Sequence, residues 1–244
     1  MKSQKDGFGY NERLFSGGIR TRFHLARFAW VQTTITKLGI NPEKVIELGC
    51  YDGKLLSFLP RKPTKYLGLD ANWEQGLDIA KCKWKSEKNY RFIEIGKPDD
   101  FEIDENDEKF DLAVSMETLE HIPPYLVDAY LAMIAAATSG YFLVTIPNEK
   151  YLPFLVKWIA KTILSRDSEQ YSALELFAAT FGQMALVRRN EHKGFDYSAL
   201  VRQIGHHFDV VDVSGHPFGF MPTSFCFGIG VVARSKKIAA PKSP

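Results

Sequence analysis

Two short segments place glycines and acids where a ligand could bind. Residues 45–54 read VIELGCYDGK, in which Glu47 interrupts an apolar run and Gly49 and Gly53 follow it. Residues 66–72 read YLGLDAN, in which Asp70 closes a second apolar run. Because glycine has no Cβ, the backbone at these positions can turn tightly and lie close to a ligand. A carboxylate can accept hydrogen bonds from both hydroxyls of a ribose, so the two segments predict a nucleoside-binding turn with an acidic lining.

A third segment combines carboxylates with an imidazole. In METLEHIPP (residues 116–124), Glu117, Glu120 and His121 share one face if the segment is helical. His121 could organise the loop by hydrogen bonding, or it could be a general base with Glu120 as its catalytic partner, since histidine titrates near neutral pH. A third interpretation is a Mg²⁺, Mn²⁺ or Zn²⁺ site made of Glu117, Glu120, His121 and the later His192.

These segments belong to a chain in which short apolar runs alternate with helical segments. The runs cover residues 44–48, 65–69, 91–95, 110–115 and 141–146, with helices predicted at 54–59, 73–82 and 124–137. A longer helical segment, residues 11–39, precedes the first run. Strands rich in Val, Ile, Leu and Phe that alternate with helices indicate a parallel sheet covered on both faces. The prediction is an α/β fold, a Rossmann-like doubly wound seven-stranded sheet that is mostly parallel.

The second half of the chain interrupts this alternation. YLPFLVKWIAKTIL and SEQYSALELFAATFGQMAL predict two helices inserted after the fifth strand as a lid, and a helix at 197–204 follows. FDVVDV and FCFGIGVVA have no helix between them, which predicts a hairpin with an antiparallel C-terminal strand at the sheet edge. The expected divisions are an N-terminal helical segment (1–40), an α/β core (41–148 and 191–235), the lid (149–190) and a flexible tail (236–244).

Composition narrows the class of protein. The chain has 244 residues, 25% charged residues and a formal net charge of +2, which is ordinary for a globular domain and lacks the basic excess of a nucleic-acid binder. Its three cysteines form no CxxC pair, so neither a disulfide framework nor a zinc ribbon is predicted. Without an apolar leader or an apolar run of membrane-spanning length, a cytoplasmic protein is expected.

Charge distinguishes between two classes of nucleoside cofactor. A dinucleotide needs a GxGxxG turn for its pyrophosphate, whereas this turn is Gly49-x-x-x-Gly53 with Glu47 and Asp52 beside it. Carboxylates would repel a pyrophosphate but suit the ammonium and sulfonium groups of S-adenosylmethionine. The sequence also lacks the Tyr-x-x-x-Lys pair of short-chain dehydrogenases, so an oxidoreductase that uses nicotinamide is disfavoured.

The chain resembles the class I S-adenosylmethionine-dependent methyltransferases, and in particular the quinone-type enzymes that methylate small-molecule hydroxyls. VIELGCYDG is similar to their glycine motif, YLGLDAN to their second acidic motif, FDLAVSMETLEHIPP to their fourth-strand motif and YFLVTIPN to their fifth strand. The resemblance covers residues 40–150 well and 190–235 more loosely. Tyr51 departs from the family pattern because it replaces the usual middle glycine.

The resemblance implies which residues contact the cofactor. Glu47, Gly49 and Gly53 would face the methionine part, Asp70 the ribose, Ala71 and Asn72 the adenine edge, and Asp99 or Asp100 the adenine amino group. Met116 and Glu117 would lie beside the cofactor and the reaction centre. The full implied set of cofactor-binding residues is Glu47, Gly49, Cys50, Tyr51, Gly53, Asp70, Ala71, Asn72, Met116 and Glu117.

Methyl transfer from a sulfonium is an in-line displacement in which the protein mainly positions the reactants and excludes water. O-methylation of a phenol, quinone precursor or saccharide is the expected reaction, because an EH pair suits hydroxyl deprotonation. RNA 2′-O-methylation and a non-catalytic module on the same fold are the alternatives. No DNA partner is expected, RNA is disfavoured, the oligomeric state is open, and residues 151–165 could contact a membrane surface.

Overall fold

The computed structural model describes residues 19–101, 108–164, 171–190 and 193–236. Its centre is a seven-stranded sheet in the order β3-β2-β1-β4-β5-β7-β6, in which β7 runs antiparallel to both of its neighbours. The predicted Rossmann-like α/β fold is therefore confirmed. The strands are β1 Lys44–Leu48, β2 Lys65–Asp70, β3 Tyr90–Glu94, β4 Phe110–Met116, β5 Thr138–Pro147, β6 Phe208–His216 and β7 Gly228–Ser235.

Six α-helices accompany the strands in the described part of the chain. The helix at 124–137 lies where the sequence predicts it, and the N-terminal helix is described from Ile19 onward, the earlier residues of the predicted segment lying outside the described residues. The helices are α1 Ile19–Lys37, α2 Gly76–Lys83, α3 Pro124–Ala137, α4 Tyr151–Leu164, α5 Ala173–Thr180 and α6 Tyr197–His207.

The alternation of side chains along the strands divides the core into two layers. Val45 of β1 packs with Phe28, Val31 and Ile35 of α1 on one face of the sheet. Ile46 and Leu48 point to the opposite face, where they join apolar residues of α3 and α6. Burial on both faces explains why these parallel strands are almost continuously apolar.

The predicted helices after β1 and β2 are shorter than the sequence pattern suggests, as is the second helix of the inserted segment, in which α5 covers only Ala173–Thr180. Residues 54–59 form only the 3₁₀ helix Lys54–Ser57, because Pro60 follows closely and disfavours helical backbone before it. Residues 73–82 are broken by left-handed backbone at Glu74 and Gln75, so α2 begins only at Gly76. Both turns lie at the carboxyl ends of strands, where the chain must bend sharply.

The C-terminal hairpin adds to the free edge of β5, as predicted. β7 pairs with β5 and is buried over its first six residues, GIGVVA, whereas β6 forms the sheet edge and exposes Val211. The charged sequence FDVVDV suits an edge strand, because its charges prevent further strand pairing.

The segment inserted between β5 and α6 has a small core of its own. Phe154 of α4 packs with Ala178 and Ala179 of α5 and with Met184 and Val187 after it. Ser172 caps α5 by accepting a hydrogen bond from the Glu175 N–H at 3.2 Å. Among the described helices, none combines the length and the apolar character needed to cross a membrane.

Candidate active site

A cavity of about 1090 Å³ opens at the carboxyl ends of β1, β2 and β4. This is the edge of an open parallel sheet at which ligands commonly bind. The loops after these three strands form its floor, while α1 covers it from one side and α4 from another. The cavity therefore brings together residues that lie far apart in the sequence.

The glycines after β1 allow close packing that a side chain would prevent. Gly49 has φ +80°, and a Cβ at this position would lie 2.0 Å from Oγ1 of Thr118 in the loop after β4. Gly53 has φ +66°, and its Cβ would lie 2.8 Å from Nε1 of Trp84. The β1 turn thus lies directly against the β4 loop, and this contact determines the shape of the cavity floor.

Tyr51 lies beside the cavity with its ring turned toward α2. A Cβ on Gly76 at the start of α2 would come within 2.3 Å of that ring, so the two residues are in direct contact. The Tyr51 backbone is left-handed, with φ 45°, and its N–H donates to Asp70 Oδ2 at 2.8 Å. Tyr51 thereby links the glycine turn to the end of β2 while the cavity next to it stays open.

Asp70 is oriented by two backbone groups. Besides the Tyr51 N–H, the Asn72 N–H donates to Asp70 Oδ1 at 2.7 Å. Burial raises the pKa of Asp70, and these backbone hydrogen bonds act in the opposite direction. Each carboxylate oxygen has a second lone pair, so Asp70 can still accept hydrogen bonds from a ligand.

The residues predicted near the adenine lie in different environments. Ala71 lines the cavity, whereas Asn72 is not among the lining residues, and its amide oxygen accepts from the Leu77 N–H at 3.1 Å. Asp100 accepts from the Gly96 and Lys97 N–H groups at 2.8 and 2.9 Å. Neither Asp99 nor Asp100 lines the cavity; the wall after β3 consists of Ile95 and Gly96.

Glu47 lies on the cavity floor as a buried acid, only 2% exposed. The Tyr66 hydroxyl donates a hydrogen bond to Oε2 of Glu47. Burial raises the pKa of Glu47 well above its usual value, and the nearby Arg27 acts against this rise. Cys50 and Met116 line the same region, and burial also raises the pKa of the Cys50 thiol well above its ordinary value.

Arg27 is a cavity residue that the sequence analysis missed. It extends from α1, and its Nε atom is buried without a hydrogen-bond partner among the described residues. Its positive charge lowers the pKa of Glu47, Glu117 and Glu120 against the effect of burial. The sequence signal is an arginine within the apolar stretch LARFAW of α1, which leaves open the direction in which its side chain points.

The predicted helical face at 116–121 is a turn, because left-handed backbone at Glu117 (φ 51°) interrupts the chain and α3 starts only at Pro124. Nevertheless, Glu117, Glu120 and His121 all line the cavity. The turn is held by the Glu117 N–H, which donates to the Thr145 carbonyl of β5 at 2.8 Å. The three side chains are therefore brought to the cavity by a loop between β4 and α3, and not by one face of a helix.

Glu120 and His121 form a close pair in this loop. Glu120 is 1% exposed, and neither carboxylate oxygen has a hydrogen-bond partner in the described part of the chain. His121 Nε2 lies 4.0 Å from Glu120 Oε1, and its ring packs edge-on against Trp73 with centroids 5.7 Å apart. Burial, and secondarily the Glu117 charge, raise the pKa of Glu120 well above its ordinary value.

The metal hypothesis gains no support from the described residues. They contain no group of three or more His, Cys, Asp or Glu side chains placed to hold an ion. His192, the fourth ligand of the hypothesis, lies outside the described residues.

The inserted segment forms another side of the cavity. One face of α4 contributes Phe154, Lys157, Trp158 and Lys161, which recur at helical spacing. Lys157 Nζ lies 2.8 Å from Glu149 Oε1, an ion pair within the lining. This wall combines aromatic rings with charged groups, which suits an acceptor with a flat or apolar body.

The start of the inserted segment is fastened by buried polar groups. Asn148 is fully buried and donates to the carbonyls of Thr223 and Cys226 at 3.1 and 3.0 Å. Lys150 is 3% exposed, and its Nζ donates to Asp196 Oδ1 at 2.6 Å and to Ser198 Oγ at 2.8 Å. These contacts fix the direction in which α4 leaves the sheet.

The family model described as "Methyltransferase domain" matches residues 20–209 of the chain. The chain belongs to this methyltransferase family. The match covers most of the sequence, including the glycine turn, Asp70 and the loop after β4. The predicted membership in the class I S-adenosylmethionine-dependent methyltransferases is confirmed, and the protein is an enzyme that uses S-adenosylmethionine.

Solved structures agree with this methyltransferase in fold. An S-adenosylmethionine-dependent methyltransferase from Clostridium acetobutylicum is 13% identical, with a TM-score of 0.64 over 92% of this chain and 98% of that one. Magnesium protoporphyrin IX methyltransferase from Synechocystis is 14% identical, with a TM-score of 0.58 over 92% of each chain. The N-methyltransferase NodS from Bradyrhizobium japonicum is 11% identical, with a TM-score of 0.55 over 88% and 98%. No curated protein matches the sequence.

Proposed function

We propose that the cavity binds S-adenosylmethionine with its ribose hydroxyls on Asp70 and its adenine beside Ala71, Ile95 and Gly96. The observation that carries this assignment is the cavity of about 1090 Å³ at the carboxyl ends of β1, β2 and β4, with the oriented Asp70 carboxylate at its wall. Pockets for one small molecule commonly measure about 300–1000 Å³. The volume is therefore sufficient for a cofactor together with an acceptor.

The methionine part of the cofactor belongs between the glycine turn and α1. Arg27 lies there with an unpartnered buried Nε atom among the described groups, and guanidinium pairs strongly with carboxylates. We assign Arg27 to the cofactor carboxylate. Glu47 and Glu117 lie nearby on the cavity lining and supply the acidic environment that suits the ammonium and sulfonium groups.

A comparison of two ligands tests the role of Arg27. Arg27→Met should weaken binding of S-adenosylhomocysteine about tenfold, because a charged hydrogen bond to the carboxylate is lost. 5′-Methylthioadenosine lacks the amino-acid part of the cofactor, so its affinity should be the same for the wild-type protein and the variant. Both affinities are measured by titration calorimetry.

Arg22→Met is the matched control, because Arg22 is an exposed residue of the same helix. It should change neither affinity. Equal losses for both ligands in Arg27→Met would show that Arg27 supports the fold of the site and would contradict its assignment to the carboxylate.

In the proposed reaction, an acceptor oxygen attacks the methyl carbon as the carbon–sulfur bond breaks, and S-adenosylhomocysteine leaves as a neutral thioether. The acceptor hydroxyl gives its proton to His121, which lines the cavity at the loop after β4. Glu120, 4.0 Å from His121 Nε2, would stabilise the imidazolium that forms. Most of the rate enhancement comes from positioning the two reactants and excluding water.

The acceptor that the cavity favours is a small molecule with a ring. Trp73, Phe154 and Trp158 line the cavity together with Tyr125, so flat surfaces face the acceptor from several elements. Phenols, quinone precursors and saccharides all stack on such rings. Acids outnumber bases in the lining, which disfavours the phosphates of an RNA acceptor.

A methyl-transfer screen identifies the acceptor. The protein is incubated with S-adenosylmethionine labelled on the methyl group and with pools of small molecules, glycans and RNA. Label transfer to a hydroxyl compound of the first or second pool is expected. Transfer to RNA alone, or to nitrogen or carbon alone, would contradict the proposed acceptor.

A further inference from the structure

The inserted segment exposes an apolar surface on the side of α4 opposite the cavity. Leu152, Val156, Ile159 and Ile163 recur at intervals of four, three and four residues, which places them in one stripe along the helix. They are between 43% and 76% exposed. The residues that line the cavity, such as Phe154 and Trp158, lie on the other face of the same helix.

The elements that contact α4 carry further exposed apolar side chains. α5 packs against α4 and exposes Leu174, Phe177 and the adjoining Phe181, whose ring centroid is 4.5 Å from that of Phe177. The 3₁₀ helix Thr223–Phe225 also packs against α4, and in the loop before it Phe220 is 87% exposed. Exposed apolar surfaces of this kind mark sites of protein or membrane contact.

Charge favours a membrane as the occupant. The sequence of the inserted segment, residues 149–190, has six basic and four acidic side chains. Lys157 pairs with Glu149 and Glu175 pairs with Lys193. Among the described residues of the segment, the charged side chains that are exposed are Lys161 and Arg188, and both are basic. A positive segment with an apolar stripe complements a bilayer surface that carries anionic headgroups.

We propose that the stripe on α4, with the apolar side chains of α5 and the Phe220 loop, docks this methyltransferase on an anionic membrane surface. The helix that walls the cavity would lie in the interface between headgroups and acyl chains, with its cavity face toward the protein. The proposal concerns where the enzyme binds and is independent of the acceptor it methylates.

Vesicle flotation with a matched pair of double variants tests the proposal. The wild-type protein should float with vesicles of phosphatidylcholine mixed with phosphatidylglycerol, and less with phosphatidylcholine alone or at high salt. Ile159→Glu/Ile163→Glu should lower the partition coefficient about tenfold, because two charges enter the apolar interface. Ile79→Glu/Val211→Glu changes two exposed apolar residues outside the inserted segment and should partition like the wild type.

Circular dichroism and the affinity for S-adenosylhomocysteine verify that both double variants fold. A wild-type protein that does not float, or an Ile159→Glu/Ile163→Glu variant that floats equally well, would overturn the proposal. Sedimentation velocity tests whether the surface instead binds a second copy of the chain. In that case the wild-type protein would be a dimer, the Ile159→Glu/Ile163→Glu variant would be a monomer, and neither protein would float with vesicles.

Discussion

The carboxylates around the cavity differ in the groups that donate hydrogen bonds to them. Asp70 accepts two backbone hydrogen bonds, Glu47 accepts one from a tyrosine hydroxyl, and Glu120 has no partner among the described groups. Desolvation opposes charge on all three, so the available hydrogen bonds decide which acid is suited to which task. Asp70 is oriented for binding, whereas Glu120 is a buried acid whose Oε1 lies 4.0 Å from His121 Nε2.

Replacing Asp70 should affect cofactor binding directly. Asp70→Ala should weaken S-adenosylhomocysteine binding by more than about tenfold, because two ribose hydroxyls lose a charged acceptor. Asp70→Asn keeps one acceptor oxygen, so its affinity for S-adenosylhomocysteine should lie between those of the wild type and Asp70→Ala. Titration calorimetry measures the affinities, and thermal unfolding reports any loss of the backbone contacts at Tyr51 and Asn72.

Asp99→Ala is the control for charge alone, since Asp99 is exposed and does not line the cavity. Its affinity should match the wild type. If Asp70→Ala binds S-adenosylhomocysteine as tightly as the wild type does, the ribose binds elsewhere.

His121 should affect turnover rather than binding. Loss of a general base typically costs about 10²–10⁴ in rate, so His121→Ala should lower kcat by about 10² while the affinity for the cofactor is unchanged. The acceptor identified by the labelled-methyl screen serves as substrate. His207→Ala, which removes a histidine that pairs with Asp128 outside the cavity, should keep the wild-type kcat. A parallel loss of cofactor affinity in His121→Ala would indicate a structural role for the imidazole.

At the scale of elements, the β1 turn depends on glycine for two separable reasons. Gly49 has positive φ and also lies against Thr118, whereas Gly39 has positive φ (+64°) with nothing within 4 Å of an added Cβ. Alanine at position 39 therefore measures backbone strain alone. Alanine at position 49 adds the steric overlap with the β4 loop.

We expect Gly39→Ala to cost about 1–2 kcal/mol of unfolding free energy. Gly49→Ala should cost about 1–3 kcal/mol more, from overpacking against Thr118, and should also weaken cofactor binding. Urea unfolding measures both. The double variant Gly49→Ala/Thr118→Gly should recover part of the difference, and identical costs at positions 39 and 49 would argue against close packing of the two loops.

Sequence pattern predicted the strands and longer helices well because burial on both sheet faces leaves a strong local signal. The turns were predicted less well. The loop at 116–121 has helical spacing, yet its left-handed backbone at Glu117 depends on pairing with β5, which no local pattern records. Arg27 was likewise missed, because its direction depends on how α1 packs against the sheet, including strands β6 and β7 far along the chain.

At the scale of the whole molecule, a buried histidine links folding to pH. His216 is 6% exposed, next to Trp30 of α1, and its Nε2 has no hydrogen-bond partner in the described ranges. Burial, and secondarily the charge of Arg27, lower the pKa of His216 to about 4. In the unfolded chain histidine titrates at about 6.5, so between these values the unfolded state binds more protons.

The contribution of His216 to stability should therefore fall as pH decreases below about 6.5 and level off near 4. From pH 7 to pH 5 the contribution of His216 to the loss is about 2 kcal/mol. Urea unfolding of the wild type and of His216→Gln at both pH values isolates this contribution, because all other titrating groups are common to the two proteins. An equal loss of unfolding free energy in the wild type and in His216→Gln would show that His216 is not the group responsible.

A crystal structure of the protein with S-adenosylhomocysteine tests the central assignment most directly. The ribose hydroxyls should lie within hydrogen-bond distance of the Asp70 carboxylate, and the cofactor carboxylate should pair with the Arg27 guanidinium. A cofactor bound in the cavity with its ribose away from Asp70, or with its carboxylate turned away from α1, would contradict the proposed site.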